Sequence, residues 1–188
     1  VTNLKDYPLY MEGAKKGGYE VWLAPSFWSA TAGYSVNQNY KKDPVLGDIL
    51  RDVRFRRALS LAMNREEINE RFAFGKGTVM QGTVLPIVSF AKEKWVKAYT
   101  EYDPERANRL LDEMGLKWDK EHKWRLRPDG KILCVIMSYN TSDACAAPEF
   151  TELVKDYWER VGIKTLLNPL DRTYFWDYLN SGEYVIGS

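Results

Sequence analysis

Residues 132–186 read ILCVIMSYNTSDACAAPEFTELVKDYWERVGIKTLLNPLDRTYFWDYLNSGEYVI, and this stretch decides the fold class. It opens on Ile132–Met137, a nearly continuous apolar run suited to a strand covered on both faces. From about Pro148 the period changes. Phe150, Leu153, Val154, Tyr157, Trp158 and Val161 recur at helical spacing, and Gly162 stops the helix. Ile163–Leu167 predicts a second strand. A further helix begins after Asp171 and ends at Gly182, with Phe175, Tyr178 and Leu179 on one face; Tyr174 and Trp176 are expected to pack it onto the sheet. Tyr184–Ile186 predicts a third strand. The order strand, helix, strand, helix, strand is the βαβ pattern of an α/β sheet. No closing element follows the last strand, so the pattern is expected to continue in a larger protein.

Outward from this stretch, Pro128-Asp129-Gly130 reads as a hairpin turn fed by Trp124–Arg127. Asp103 and Pro104 read as the cap and first residue of a helix carrying Ala107, Leu110, Leu111 and Met114, with Gly115 as its stop. Residues 52–74 predict two consecutive helices. Phe55, Leu59 and Ala62 or Met63 line the first. Asn64 and Glu67 have the spacing of a capping box, and Ile68 and Phe72 continue the apolar stripe. Tyr19–Leu23 alternates weakly and is expected to be a strand.

The chain has 188 residues, enough for one domain or lobe with a sizeable core. Its 27 Lys and Arg nearly cancel its 26 Asp and Glu, which removes the basic excess that a nucleic-acid partner would call for. The single histidine, His122, rules out a multi-histidine metal site, and no G-x-S-x-G elbow is present. Gly75-Lys76-Gly77-Thr78 looks slightly like a phosphate loop, but it follows a helix rather than a strand and reads as that helix's stop. Cys134 and Cys145 have no metal spacing. Cys134 reads as a small core hydrophobe, with a disulfide to Cys145 left open for an oxidising compartment. No cofactor is expected. Seven Trp and twelve Tyr exceed ordinary core needs and point to a surface that stacks on ligands or partners.

The segment DPVLGDILRDVRFRRALSLAMNREEIN, residues 43–69, carries more than composition does. It resembles a hallmark stretch of the extracytoplasmic solute-binding proteins of ABC importers, the oligopeptide- and dipeptide-binding type known as family 5. The matching positions are Asp52, Arg54, Ala58, Leu59, Ala62, Asn64, Arg65 and Ile68, after a lead-in at Tyr34–Asn39. Phe74–Gly77 with Gly82–Pro86, Tyr102–Ala107 with Gly115-Leu116, and Val161-Gly162-Ile163 continue the likeness in order. The resemblance implies an α/β lobe of the type II periplasmic-binding-protein kind, a mixed sheet flanked by helices, with residues 1–188 forming a single lobe of a two-lobed protein. It implies capture of a peptide or oligosaccharide for an importer permease, in the periplasm or outside the cell, with the first lobe supplied elsewhere. It implies no bond-breaking chemistry.

In α/β sheets ligands bind outside the strand ends, at loops. Two loops qualify: one after the first expected strand, with Ser26 and Trp28, and one after Ile132–Met137, with Tyr139, Asn140 and Ser142. Asn39, at the inter-lobe crossing, completes the candidate set. The residues by themselves leave other readings open. Trp28 also suits half-buried packing, Asn140 and Ser142 suit capping of the next helix, and Asn37 and Asn39 suit backbone pairing. An enzyme with a carboxylate pair acting on carbohydrate and a bare protein-interaction module are the alternatives in function.

Overall fold

The computed structural model describes residues 4–24, 33–142 and 148–188. The described helices are α1 (Tyr7–Gly17), α2 (Pro44–Arg51), α3 (Val53–Leu61), α4 (Arg65–Ala73), α5 (Glu93–Val96), α6 (Pro104–Glu113), α7 (Pro148–Arg160) and α8 (Arg172–Asn180). The strands are β1 (Ser35–Val36), β2 (Cys134–Asn140), β3 (Lys164–Leu170) and β4 (Ile186–Gly187). The chain divides into two compact units, one of residues 1–31 and 65–98, the other of 32–64 and 99–188.

The larger unit holds the sheet, in the order β1-β4-β2-β3. β2 runs parallel to both β3 and β4, and β1 runs antiparallel to β4, so the sheet is mixed as expected. The crossover β2–α7–β3 steps one way along the sheet and β3–α8–β4 steps back. Right-handed connections therefore place α7 and α8 on opposite faces. Side chains agree: Ile186, Met137 and Val135 are fully buried, while a Cβ on the next residue, Gly187, would stand 3.2 Å from Leu179 of α8.

Helix starts follow the capping residues that the sequence supplies. Asp43, Asp52 and Asp103 accept hydrogen bonds from the backbone N–H groups of Leu46, Arg54 and Arg106, and Pro44 and Pro104 follow two of them. Asp171 accepts from Thr173 and Tyr174. Each such cap stabilises its helix by ~1 kcal/mol. α3 and α6 pack together through small or apolar residues that include the buried Phe55, Ala58, Ala107 and Leu111. α7 covers β3, and the Trp158 indole donates to the Leu59 carbonyl at 3.1 Å, joining α7 to α3.

Among the described residues, two charged side chains lie inside this unit. Arg125 is fully buried and spends all five donors. Nε donates to Val161 O (2.9 Å), Nη1 to Leu116 O (2.5 Å) and Asp112 Oδ1 (2.7 Å), and Nη2 to Asn108 O (3.3 Å) and Oδ1 (2.8 Å). Its guanidinium also lies 4.7 Å from the Trp118 ring. Arg127 bridges Asp43 and Asp129, and these ion pairs hold both carboxyls below their ordinary range. The expected hairpin forms as a bridge from Leu126 to Ile132 around the left-handed Gly130, and a separate bridge pairs Trp118 with Arg125.

In the smaller unit, α1 ends at the left-handed Gly18 and Tyr19 folds back. Its hydroxyl donates to Tyr10 O at 2.9 Å, and its ring lies where Cβ atoms on Gly13 and Gly17 would be. Tyr19–Leu23 is therefore not a strand: the ring is taken up by the glycine face of the preceding helix. Gly75-Lys76-Gly77 ends α4 as expected. Phe74 and Gly75 are both left-handed, and the Asn69 amide bonds both the N–H and the carbonyl of Gly77. α1, α2 and α5 are elements that periodicity did not announce. Tyr174 and Trp176 are more than half exposed, so Phe175 alone of these three packs α8 inward. Cys134 is a half-buried free thiol, and burial raises its pKa; Cys145 lies outside the described residues.

Candidate functional site

Three parallel strands share one carboxyl-terminal edge, the place where α/β sheets hold ligands. Tyr139 and Asn140 end β2 there, and Leu170 ends β3, with which Asn140 is in register. The Thr141 backbone N–H and hydroxyl both donate to Leu170 O, at 2.9 and 3.1 Å, so the ends of the two strands are tied together. The Asn140 side-chain oxygen accepts from the Ser142 N–H at 3.0 Å, closing a turn just past the strand end. One row lower, Asn168 donates to the Ser138 hydroxyl, and the N–H of Ser188, just past β4, donates to Ser138 O. α8 starts at this edge, and its N–H groups there are partly satisfied by Asp171.

The α7 side of the edge is aromatic. Tyr34, just before β1, stacks on Phe150 at 6.4 Å and meets Trp158 edge-on at 5.3 Å. Burial pushes its phenol far above the ordinary value. Tyr139 is buried, while Thr141 and Ser142 are exposed. The edge therefore offers hydroxyls, an amide and strand-end backbone, groups that hydrogen-bond polar organic molecules, above an aromatic cluster that is largely buried. Among the described residues no group of three or more His, Cys, Asp or Glu could hold a metal ion.

Of the residues expected from sequence, the structure brings together Tyr139, Asn140 and Ser142. Asn39 lies elsewhere. Because β1 is antiparallel to β4, the chain beyond Val36 runs to the opposite edge of the sheet. There the buried Asn37 donates to Gly182 O (2.9 Å) and Tyr184 O (2.7 Å) and accepts from the Asn39 N–H. Ser26 and Trp28 lie outside the described residues. Asn168 and Tyr34 are additions, and Thr141 lay within the expected loop without being singled out. Thr141 sat within the polar run after β2, whereas Asn168 lay just past the expected strand Ile163–Leu167 and nothing local marked Tyr34.

A mixed sheet flanked by helices is the architecture of type II periplasmic binding proteins. The sequence profile described as bacterial extracellular solute-binding proteins, family 5 Middle, matches residues 8–187, and the chain belongs to that family. It is 29% identical over 167 residues to the oligopeptide-binding protein OppA of Lactococcus lactis subsp. lactis, covering 89% of this chain and 26% of that protein. It is 24% identical to the periplasmic alpha-galactoside-binding protein of Rhizobium meliloti (strain 1021), covering 91% of this chain and 27% of the relative. A solved oligopeptide-binding protein OppA superposes with a TM-score of 0.87 at 37% identity over 97% of this chain and 28% of its own. The chain thus spans about a quarter of the length of the curated relatives it matches.

Proposed function

We propose that residues 1–188 act as a single lobe of a longer, two-lobed solute-binding protein, and that this lobe forms one wall of a cleft that captures a peptide or an oligosaccharide for an ABC importer. The observation that carries this is the match of the family profile across residues 8–187, in a chain whose polar residues gather at the carboxyl edge of its sheet. Asn140, Thr141 and Ser142 are the proposed contacts of this wall, with Tyr139 shaping it from beneath; Ser26 and Trp28, outside the described residues, remain candidates. The protein works outside the cytoplasm, the first lobe lies elsewhere in the same polypeptide, and the permease receives the loaded form. No covalent step is required, because the edge need only hold the solute by hydrogen bonds.

The full-length protein is to be titrated calorimetrically with mixed peptides and, separately, with α-galactosides and other oligosaccharides, and the products analysed. Saturable binding of one class with the solute recovered intact is expected. Asn140→Ala is expected to weaken it at least tenfold, since the amide organises the turn at the strand end. Turnover of a sugar, or no saturable binding of either class, refutes the proposal.

A further inference from the structure

Lys123, Trp124, Asp156, Glu159 and Arg160 line an open pocket of about 340 Å³ on the larger unit. Two elements build it. Asp156, Glu159 and Arg160 stand at i, i+3 and i+4 and share one face of α7. Lys123 and Trp124 lie on the arm that leads into the hairpin. That arm is fastened on both sides of them: the Lys123 N–H donates to Asp119 Oδ1 at 2.8 Å, and the Arg125 N–H donates to Gly162 O at 2.8 Å. The pocket is remote from the strand-end edge. α7 leaves that edge after β2 and delivers the chain to the start of β3. Its last turn therefore lies at the other end of the sheet, roughly 20 Å along the helix from its first.

The charges set this pocket apart. Among the described residues none of its four charged side chains joins an ion pair, although on the same unit Lys155 pairs with Glu152 and Arg106 with Glu101. Lys123 and Arg160 lie instead over the rings of Trp124 and Tyr157, 5.3 and 5.4 Å from the centroids. Glu159 gives one oxygen to the Thr165 N–H at 3.4 Å. Two cations and two anions thus surround a half-buried indole, and the lining has both signs but no net charge. Complementarity favours a ligand that is itself neutral overall and carries both signs. Its ammonium meets Asp156 and Glu159, its carboxylate meets Lys123 and Arg160, and its apolar part rests on Trp124. The volume is at the small end for ligand pockets, which suits a compact body. We infer that this pocket is a second binding site, separate from the solute cleft, for the zwitterion of a free α-amino acid with an apolar side chain.

The test uses the full-length protein labelled with 5-fluorotryptophan, with the Trp124 signal assigned by its loss in Trp124→Phe and followed by fluorine NMR. L-Phenylalanine, its cationic amide and its anionic N-acetyl derivative are titrated at constant ionic strength. L-Phenylalanine is expected to shift the Trp124 signal saturably with a midpoint of about 1 mM, and the two singly charged analogues to need at least about tenfold more. Arg160→Gln and Asp156→Asn are each expected to raise the phenylalanine midpoint at least about fivefold, while Asn140→Ala leaves it within about twofold. A drift that stays linear to about ten times that midpoint, equal midpoints for the three probes, or a midpoint unmoved by either pocket variant overturns the inference. So does loss of the shift in Asn140→Ala, which would trace it to the cleft. The two sites share no residue, so failure here leaves the cleft proposal standing.

Discussion

Arg125→Met gives the sharpest test of how the larger unit is held together. Methionine keeps much of the side chain's length and apolar volume but removes five donors and a charge. Asp112 is 59% exposed at its side chain and recovers its hydrogen bond from water. The carbonyls of Leu116 and Val161 have no such recourse, because both bonds to Arg125 are buried. Each orphaned acceptor costs ~1–3 kcal/mol, and loss of the guanidinium over Trp118 adds ~0.5–2 kcal/mol. The expected destabilisation is about 3–8 kcal/mol, a large share of the ~5–15 kcal/mol that holds a domain folded. It corresponds to a fall in melting temperature of roughly 10–20 °C. Urea titration followed by tryptophan fluorescence measures it, with Trp118 and Trp158 inside the affected unit as reporters. Asp112→Asn, which removes only the half-exposed charge, is the control and is expected to cost no more than ~1 kcal/mol. A loss below ~1 kcal/mol for Arg125→Met would mean that the two carbonyls find water, and the account of Arg125 as the internal tie fails.

Gly162→Ala is expected to cost about 2–4 kcal/mol. Gly162 is left-handed at φ 84°, and a Cβ there would stand 2.6 Å from Trp118 Cζ3 and 2.8 Å from Arg125 Cγ; an unchanged urea midpoint contradicts this. Asn37→Ala removes the amide that holds Gly182 and Tyr184 and is expected to cost about 2–4 kcal/mol. Asn37→Asp should be worse than alanine at neutral pH, because a carboxylate then faces two carbonyls; equal melting temperatures for the two variants count against that picture. Acid sensitivity follows from Asp43 and Asp129, whose folded pKa values lie below the unfolded carboxylate value of about 3.9. Their contribution is complete above that value and is lost as the pH falls through the folded values, so the window lies below about pH 4. Asp43→Asn should flatten the loss of melting temperature across that window, and an unaltered slope in a series of melts from pH 5 to 2 removes the Arg127 bridge from the explanation.

Much of the larger unit was legible because its determinants are local. The change from an apolar run to helical spacing after Pro148, the stop at Gly162 and the caps at Asp52, Asp103 and Asp171 are decided within a turn or two of chain, and they stand where the sequence puts them. The errors have the same origin. Tyr19–Leu23 alternates as a strand does, but alternation cannot reveal that the glycine face of α1 leaves room for the Tyr19 ring. The helical face of α8 was read to include Tyr174 and Trp176 as packing residues, yet Phe175 fills the available depth and leaves both neighbours in solvent. Within the candidate site, the polar turn after β2 was visible as a run of Asn, Thr and Ser. That Asn39 belongs to the other edge of the sheet was not, because it depends on β1 pairing antiparallel with β4, some 150 residues downstream.

The sequence by itself determined the α/β class, the family and the ends of most helices, because periodicity, capping and chain-order motifs act over a few residues at a time. Only the tertiary structure decided that Arg125 is an internal tie, that Asn37 pins the approach to β4, and that Thr141 joins the two strand ends of the candidate site. These roles are set by carbonyls 29 to 147 residues away in the chain for Thr141 and Asn37, and by Val161, 36 residues from Arg125. A buried donor's function is fixed by which acceptors the fold delivers to it, and that depends on how the strands are ordered and joined.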